Sequence, residues 1–215
     1  PKLLARVKSS DLILLVGGRL SEMPSQSYSL LDIPSPTQQL VHVHPDAEEL
    51  GRVYRPAQAI HASPTAFCKA AEGLQPPSEL KGAGEAAKAH QDYLDWSGAR
   101  PQVPGNLQMA GVMEWLEANL PEDAVCTNGA GNYATWLHRF HRFRRYATQA
   151  APTSGSMGYG LPAAVAAKLA FPEREVVCFA GDGCLQSTAC QDGANIIVLV
   201  IDNGMYGTIR MHQER

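Results

Sequence analysis

The sequence lacks several features that would each have assigned it to a class of protein. No apolar run approaches the roughly 20 residues that a membrane-spanning helix needs. The amino-terminal stretch lacks the layout of a signal peptide. Lysine and arginine (18) do not outnumber aspartate and glutamate (21), which argues against a general nucleic-acid binder. We therefore expect a cytoplasmic protein with no membrane partner and no nucleic-acid partner.

Paired or metal-binding cysteines are also missing. The five cysteines show no CxxC spacing, and most of them lie in apolar contexts typical of strands or helices. They are therefore interpreted as free thiols of a reducing compartment. Their positions are Cys68, Cys126, Cys178, Cys184 and Cys190. The 45% of hydrophobic residues is ordinary for a folded α/β protein with one or two cores.

The stretch from residue 176 to residue 207 contains two apolar, β-branched runs. The runs Val176–Ala180 and Ile196–Ile201 predict adjacent buried strands of a parallel sheet. Each run ends in a polar turn, Gly-Asp-Gly at 181–183 and Asp-Asn-Gly at 202–204. Because parallel strands end at one carboxyl edge, where open α/β sheets bind ligands, the two turns are expected side by side.

The chemistry of these turns suits a hard cation and an anion together. Carboxylate, amide and carbonyl oxygens from Asp182, Asn203 and the backbone after Asn203 make a set of ligands that Mg²⁺ accepts. Glycines allow backbone N–H groups to approach a phosphate, and a helix predicted after Cys184 adds its positive end. A Gly-Asp-Gly alone is weak support, because it also occurs as a simple tight turn.

Three motifs together resemble one family. The Gly-Asp-Gly turn, strand and Asn-containing turn resemble the thiamine diphosphate signature of the acetolactate synthase and pyruvate decarboxylase superfamily. SGSMGYGLPAA at 154–164 resembles the segment that holds the aminopyrimidine ring in that family, and NGAGNYATW at 128–136 resembles its diphosphate-side loop. Both motifs occur in the family's order. The chain is thus similar to a subunit of an acetolactate synthase-like 2-oxo acid decarboxylase or carboligase.

The resemblance implies a site for thiamine diphosphate and Mg²⁺. The Gly155 carbonyl and the Met157 N–H would bind the pyrimidine, and the Met157 side chain would wedge beneath the bent cofactor. Asp182, Asn203 and the Met205 carbonyl would hold Mg²⁺. The cofactor-binding residues implied in this way are Gly131, Asn132, Tyr133, Gly155, Ser156, Met157, Gly181, Gly183, Cys184, Tyr206 and Gly207.

The fold class expected is α/β, with parallel sheets flanked by helices. Residues 1–75 resemble part of the family's central Rossmann-like domain, 76–105 are interpreted as a linker with a helix, and 106–215 as an incomplete cofactor-binding domain. The family's glutamate that activates the pyrimidine has no counterpart here, so these residues alone are expected to be inactive. The resemblance implies a homodimer or homotetramer. The segment between Gly183 and Asn203 has nineteen residues (184–202), about six fewer than the family shows. Either residues are missing from this sequence or the segment carries a true deletion.

Three features have competing interpretations. The loop at residue 17 lies where acetolactate synthases bind FAD, but Arg19-Leu20-Ser21-Glu22 departs from their pattern, so FAD is not expected. His42 and His44 are interpreted as a structural pair at the sheet edge rather than metal ligands, since a third ligand is missing. Asn128 or Asn132 could merely cap the next helix, predicted from Tyr133 to Arg139.

Alternatives from other functional classes remain open at this point. A domain of this fold could bind a nucleotide or a diphosphate ligand without catalysis. The run HRFHRFRR at 138–145 could bind nucleic acid, although a connection between a helix and a strand on a solvated face explains it better. The leading hypothesis is an enzyme that depends on thiamine diphosphate and Mg²⁺ and acts on a small 2-oxo acid.

Overall fold

The structure is a computed structural model, and it describes residues 2–75, 77–79, 82–181, 195–201, 204–205 and 207–214. The chain divides into two compact units, residues 1–92 and residues 93–215. Both units contain a parallel sheet with helices, so the predicted α/β class is confirmed. Among the described residues, no helix is both long enough and apolar enough to cross a membrane.

The first unit is built around a sheet of three parallel strands in the order β1-β2-β3. The strands are β1 (Leu12–Val16), β2 (Gln39–His44) and β3 (Gln58–His61), and the helices are α1 (Lys2–Ser9), a 3-10 turn (Ala47–Glu49) and α2 (Pro64–Ala71). Helix α2 begins at Pro64, because Ser63 Oγ accepts a hydrogen bond from the Ala66 N–H and Pro64 occupies the first turn. The core of this unit consists of Leu30, Leu31, Leu40 and Tyr54.

The histidine pair lies in β2, the middle strand of this sheet, so its predicted position at the sheet edge is wrong. His42 Nε2 lies 3.1 Å from the Gly18 carbonyl, and the Asp46 N–H donates to His44 Nδ1 over 3.0 Å. Both rings are therefore held by backbone groups. Within the described residues, no cluster of histidine, cysteine, aspartate or glutamate could hold a metal ion. The structural interpretation of the pair is favoured by these contacts.

The second unit contains a sheet of four parallel strands in the order β5-β4-β6-β7. The strands are β4 (Val125–Asn128), β5 (Gln149–Ala150), β6 (Val176–Ala180) and β7 (Ile197–Val200), and the helices are α4 (Met109–Asn119), α5 (Ala134–Phe140), α6 (Gly160–Ala170) and α7 (Gly207–Gln213). Helix α3 (Glu85–Gly98) spans the division between the two units. The predicted strand Val176–Ala180 is confirmed at both ends, and the helix predicted from Tyr133 to Arg139 spans Ala134–Phe140.

Helices cover both faces of this sheet, which explains the unbroken apolar run of β6. Val177 and Phe179 pack with Met113, Leu116 and Leu137 on the side of α4 and α5. Val176, Cys178 and Ala180 pack on the other face with Leu161 and Ala164 of α6. Every residue of β6 is buried, as expected for an inner parallel strand. This packing fixes β6 and its neighbour β4 as the rigid part of the unit.

Strand β7 differs from the prediction in one respect. It pairs with β6 in parallel, as expected, with Ala180 opposite Val200. It was predicted to be buried, but Ile197 is 46% exposed and Val200 is 47% exposed. The physical reason is its position, because within the described part of the chain β7 is an end strand that pairs with β6 alone.

Cysteines 68, 126 and 178, the described ones, form no disulfide bond, as predicted. Cys68 is exposed, whereas Cys126 in β4 and Cys178 in β6 are buried. Burial raises the pKa of the Cys126 thiol to about 12, so this group is a neutral thiol within the core. Cys184 and Cys190 lie outside the described residues.

Candidate functional site

The carboxyl ends of the second sheet bring four connecting segments to one edge. Thr127 lies opposite Ala150, Asn128 opposite Phe179, and Ala180 opposite Val200. Because all of these strands are parallel, the chain leaves each of them on the same side. This edge is where ligands bind in open α/β sheets, and the motifs singled out in the sequence begin there.

The structure describes some of the predicted site residues and not others. The described ones, all at or next to these strand ends or in the segments that follow them, are Gly131, Asn132, Tyr133, Gly155, Ser156, Met157, Gly181, Met205 and Gly207. The predictions for Asp182, Gly183, Cys184, Asn203 and Tyr206, and for the shortened segment near residues 186–187, fall outside the described residues. The predicted Mg²⁺ site is therefore described only at Met205.

The segment 154–159, which we call the Met157 loop, is open and built on glycine. Gly155 and Gly158 have φ angles of +69° and +80°, a left-handed conformation that residues with side chains rarely adopt. Met157 lies between them and is 60% exposed. A Cβ atom added at either glycine would have no atom within 4 Å. Gly155 and Gly158 are thus required by their backbone conformation.

The end of β4 is a buried polar centre. Asn128 is 2% exposed, and its Nδ2 group donates to the Gly129 carbonyl over 2.9 Å. His138 Nε2 of α5 donates to Asn128 Oδ1 over 3.0 Å. Helix α5 follows a cap residue, Tyr133, that makes no side-chain capping hydrogen bond, so the alternative that Asn128 or Asn132 caps the helix is wrong. The Asn128 amide instead joins the strand end to the helix.

Tyr133 packs its ring between two of the glycines in the predicted motifs. A Cβ atom on Gly131 would lie 2.5 Å from the ring's Cε1 atom, and one on Gly181 would lie 2.9 Å from the same atom. The ring also packs against the clusters on both faces of the sheet. Tyr133 was predicted as a cofactor contact. The structure gives its ring a packing function that links the loop after β4 to the turn after β6.

Helix α6 approaches the end of β4 too closely for a side chain. A Cβ atom on Gly160 would lie 2.6 Å from the Gly129 nitrogen and 2.7 Å from the Asn128 carbonyl carbon. The hydroxyl of Thr127 donates to the Gly160 carbonyl over 2.8 Å, and this bond is buried. Gly160 therefore permits this close packing of α6 against the strand end. The contributions of Thr127 and His138 were missed, although a Thr-Asn pair ending an apolar strand was a usable signal.

This geometry fits the cofactor implied by the motifs. The Met157 loop presents backbone groups without side chains around them, together with an exposed apolar side chain. Gly131 and Gly181 lie at the two neighbouring strand ends, both in contact with the Tyr133 ring. Such an edge can accept a large ligand that has an anionic end and an aromatic ring.

The basic run 138–145 is occupied by contacts within its own unit. The run begins in the last turn of α5 and continues into the connection to β5, as predicted. Arg144 pairs with Glu117 at 3.1 Å and with Glu122 at 3.5 Å. The guanidinium of Arg139 lies 4.7 Å from the centre of the Trp96 ring. Because these cations have acidic or aromatic partners, the alternative of nucleic-acid binding loses its main support.

A separate cavity of about 170 Å³ lies in the first unit, next to the loop that was compared with an FAD site. Arg19, Ser21 and Arg52 are among its lining residues. The Tyr54 hydroxyl, also at this cavity, is buried and makes no hydrogen bond within the described residues. The prediction that FAD is absent stays a prediction.

Comparisons with known proteins agree with the motifs. Residues 2–71 match the central domain of thiamine pyrophosphate enzymes, and residues 129–215 match their C-terminal TPP binding domain. The chain belongs to the thiamine pyrophosphate enzymes. Thiamine pyrophosphate is the same compound as thiamine diphosphate. The predicted family is therefore confirmed.

Relatives among characterised proteins are acetolactate synthases. The chain is 26% identical over 220 residues to the large subunit of acetolactate synthase isozyme 1 of Escherichia coli K12, covering 96% of this chain and 37% of the relative. It is 30% identical over 224 residues to an acetolactate synthase of Mycobacterium leprae, covering 97% of this chain and 35% of the relative. The chain thus spans about a third of the length of these relatives.

A solved structure shares the fold. It is the thiamine diphosphate-dependent 4-hydroxybenzoylformate decarboxylase of Rhodococcus jostii RHA1, with a TM-score of 0.66 and 22% identity. The match covers 99% of this chain and 39% of the decarboxylase. At this level of identity the match supports the architecture of the thiamine pyrophosphate enzyme and leaves the substrate open.

Proposed function

We propose that this thiamine pyrophosphate enzyme depends on thiamine diphosphate and Mg²⁺ and acts on a small 2-oxo acid, by decarboxylation, carboligation or both. The observation that carries the proposal is the carboxyl edge of the second sheet. There the exposed Met157, between two left-handed glycines, shares one edge with the loop after β4 and the turn after β6. The acetolactate synthase relatives support a 2-oxo acid as the substrate class.

The described residues would bind the organic part of the cofactor. The Gly155 carbonyl would accept a hydrogen bond from the amino group of the pyrimidine, and the Met157 N–H would donate to a ring nitrogen. The Met157 side chain, unbranched and polarizable, would support the bent form of the cofactor. When bound, thiamine diphosphate supplies carbanion chemistry at its C2 carbon. Ser156, Gly131, Asn132 and Tyr133 would lie around the cofactor.

The metal and the diphosphate would be held by the turns after β6 and β7. Asp182, Asn203 and the Met205 carbonyl are the proposed Mg²⁺ ligands, because Mg²⁺ prefers oxygen donors and shares its coordination with phosphate. Phosphate oxygens would accept hydrogen bonds from the backbone N–H groups of Gly183 and Cys184, with Gly181 beside them. Cys184, Tyr206 and Gly207 complete the proposed cofactor-binding set.

The proposed enzyme needs groups beyond the described site. Neither 128–133 nor 151–159 contains a glutamate, so the base that activates the pyrimidine would come from outside these residues. We propose that it comes from another domain across a homodimer or homotetramer interface, and that these 215 residues alone are inactive. The proposed divisions of the chain are 1–75, 76–105 and 106–215, and the proposed location is the cytoplasm.

A titration of the intact enzyme tests the proposal. Thiamine diphosphate, NAD and ADP are each added to metal-free protein with and without Mg²⁺, and binding is followed by calorimetry. We expect thiamine diphosphate to bind with Mg²⁺ and much more weakly without it, and the nucleotides to bind weakly or not at all. Preferential binding of NAD or ADP would overturn the proposal in favour of a nucleotide-binding module.

A second measurement separates an enzyme from a binding module that lacks catalysis. The loaded protein is supplied with pyruvate as a simple 2-oxo acid, and released carbon dioxide and carbon–carbon bonded products are measured. We expect turnover that requires both thiamine diphosphate and Mg²⁺. Tight cofactor binding without turnover of pyruvate or of larger 2-oxo acids would contradict the catalytic part.

A further inference from the structure

We propose that Thr127 is a positioning residue for Met157: its buried hydroxyl holds the Gly160 carbonyl and so fixes where the Met157 loop joins α6. This inference rests on the proposed function, because it assigns Met157 a task at the cofactor. Thr127 itself lies inside the sheet and is fully buried, at 0% exposure. It would therefore act through the loop and touch neither the cofactor nor the substrate.

The Met157 loop belongs to the longer segment 151–159, and both residues that flank this segment lie beside Thr127 of β4. On the amino side, Ala150 is the last residue of β5 and lies opposite Thr127 in the sheet. On the carboxyl side, Thr127 Oγ1 donates to the Gly160 carbonyl over 2.8 Å, and Gly160 is the first residue of α6. One residue of β4 thus lies beside both anchors of residues 151–159.

The second anchor is rigid because the backbones are in close contact. A Cβ atom on Gly160 would lie 2.6 Å from the Gly129 nitrogen, so α6 begins directly against the strand end. The Gly129 N–H in turn donates to the Phe179 carbonyl of β6 over 3.1 Å. The start of α6 is thereby tied to the two inner strands of the sheet, which form the best-packed part of the unit.

The loop has little packing of its own to hold it. Met157 is 60% exposed, and the positions of Gly155 and Gly158 have open space around them. A hydrogen bond between the hydroxyls of Ser154 and Ser156, at 2.9 Å, lies within the loop and does not attach it to the sheet. The position of Met157 is therefore set mainly by the anchors at Ala150 and Gly160.

The chain offers a matched pair of variants. Thr127→Val removes the hydroxyl and keeps the shape of the side chain, whereas Thr127→Ser keeps the hydroxyl. Thr148→Val is the control, because Thr148 is also buried, at 3% exposure, and its hydroxyl donates to a backbone carbonyl, that of Arg145, over 2.7 Å. Thr148 lies immediately before the amino end of β5, whereas the Met157 loop follows the carboxyl end of that strand. Both valine variants should lower the melting temperature to a similar degree.

The first readout is hydrogen exchange of the intact protein without cofactor. Thr127→Val should speed exchange of the amides at the start of α6, such as the Ala163 N–H that donates to the Tyr159 carbonyl over 3.1 Å, by about tenfold, the factor that loss of one modest hydrogen bond would give. Thr127→Ser and Thr148→Val should leave these amides near the wild-type rate. Equal exchange in Thr127→Val and Thr148→Val would overturn the inference whether or not the protein binds thiamine diphosphate.

The second readout uses the loaded enzyme. Thr127→Val should lower kcat by about tenfold or more while the affinity for thiamine diphosphate changes little, since small displacements of positioned groups cost catalysis. Adding Met157→Ala to Thr127→Val should lower kcat only slightly further, because the two changes remove one function. Fully additive losses would contradict action through Met157. Absence of cofactor binding in the wild type would instead overturn the proposed function.

Discussion

The ring of Tyr133 fills the space beside Gly181, where a Cβ atom would lie 2.9 Å from the Cε1 atom of the ring. Gly181 follows β6, and Tyr133 precedes α5, so one aromatic ring joins the segments that leave two inner strands. Gly131 lies against the same ring from the loop after β4. The spacing of these two segments is thus set by a side chain and two glycines in direct contact.

Replacing Gly131 by alanine should therefore destabilise the second unit. The new Cβ atom would lie 2.5 Å and 2.8 Å from two ring carbons of Tyr133, and the ring is held by both cores. We expect a loss of about 1–3 kcal/mol in the free energy of unfolding, as for overpacking. Urea unfolding followed by fluorescence measures it.

Gly111→Ala is the matched control for this change. Gly111 lies within α4 and has no atom within 4 Å of an added Cβ. Alanine there should raise the free energy of unfolding by about 0.5–1 kcal/mol, because glycine weakens a helix interior. If Gly131→Ala also stabilised the protein, the contact of Tyr133 with that loop would be wrong.

The sequence was sufficient for the strands and helices of the site but not for its side-chain contacts. The apolar runs act locally, so Val176–Ala180 was placed correctly at both ends. Strand β4 is buried on both faces, so its pattern carries no alternation from which side-chain directions could be read. Asn128 was assigned to the diphosphate-side loop, although it is a buried residue of the strand.

The exposure of β7 shows a second limit. Its residues are as apolar as those of β6, and both runs were predicted to be buried. Burial depends on which neighbours cover a strand, and this information is not contained in the strand's own residues. Ring positions have the same limitation, since Tyr133 packs between glycines that lie two and forty-eight positions away in the chain.

His141 should make the stability of the second unit depend on pH. Burial lowers the pKa of His141, an effect that the adjacent Glu117 partly opposes and that Arg144 assists. The folded protein therefore prefers the neutral imidazole, and the unfolded chain takes up the proton first as the pH falls through about 6.5. We expect stability to be constant above that range and to fall as the pH is lowered through it.

A histidine variant isolates this effect from the other titrating groups. The urea midpoint of the wild type should decrease between about pH 7.5 and pH 5, a range that lies above the usual pKa values of carboxylates. His141→Gln should show a smaller decrease over the same range. His90→Gln, at an exposed position of α3, serves as the control. If both variants kept the full decrease of the wild type, neutral burial of His141 would not be its source.

Asp182→Ala should abolish cofactor binding that depends on Mg²⁺. Asp182 is the only charged group in the proposed ligand set, and its loss leaves two neutral oxygens for a divalent cation. The intact Asp182→Ala enzyme is titrated with thiamine diphosphate in the presence of Mg²⁺, and binding is measured by calorimetry. Its affinity should be as weak as that of the wild type after a chelator has removed Mg²⁺. Asp95→Ala, which changes an exposed aspartate of α3, should bind normally. Unchanged affinity in Asp182→Ala would rule out this residue as a metal ligand.

Met157→Ala should separate anchoring of the cofactor from its activation. The diphosphate and metal contacts are proposed to come from other segments, so the affinity for thiamine diphosphate should fall by less than about tenfold, a loss of at most roughly 1.4 kcal/mol. The cofactor would lose the support that holds it bent, and kcat should fall by about a hundredfold or more. Met157→Leu, which keeps an apolar side chain of similar volume, should retain more activity than the alanine variant. Equal losses of affinity and kcat in Met157→Ala would show that Met157 contributes to binding alone, and the proposed wedge beneath the cofactor would then be wrong.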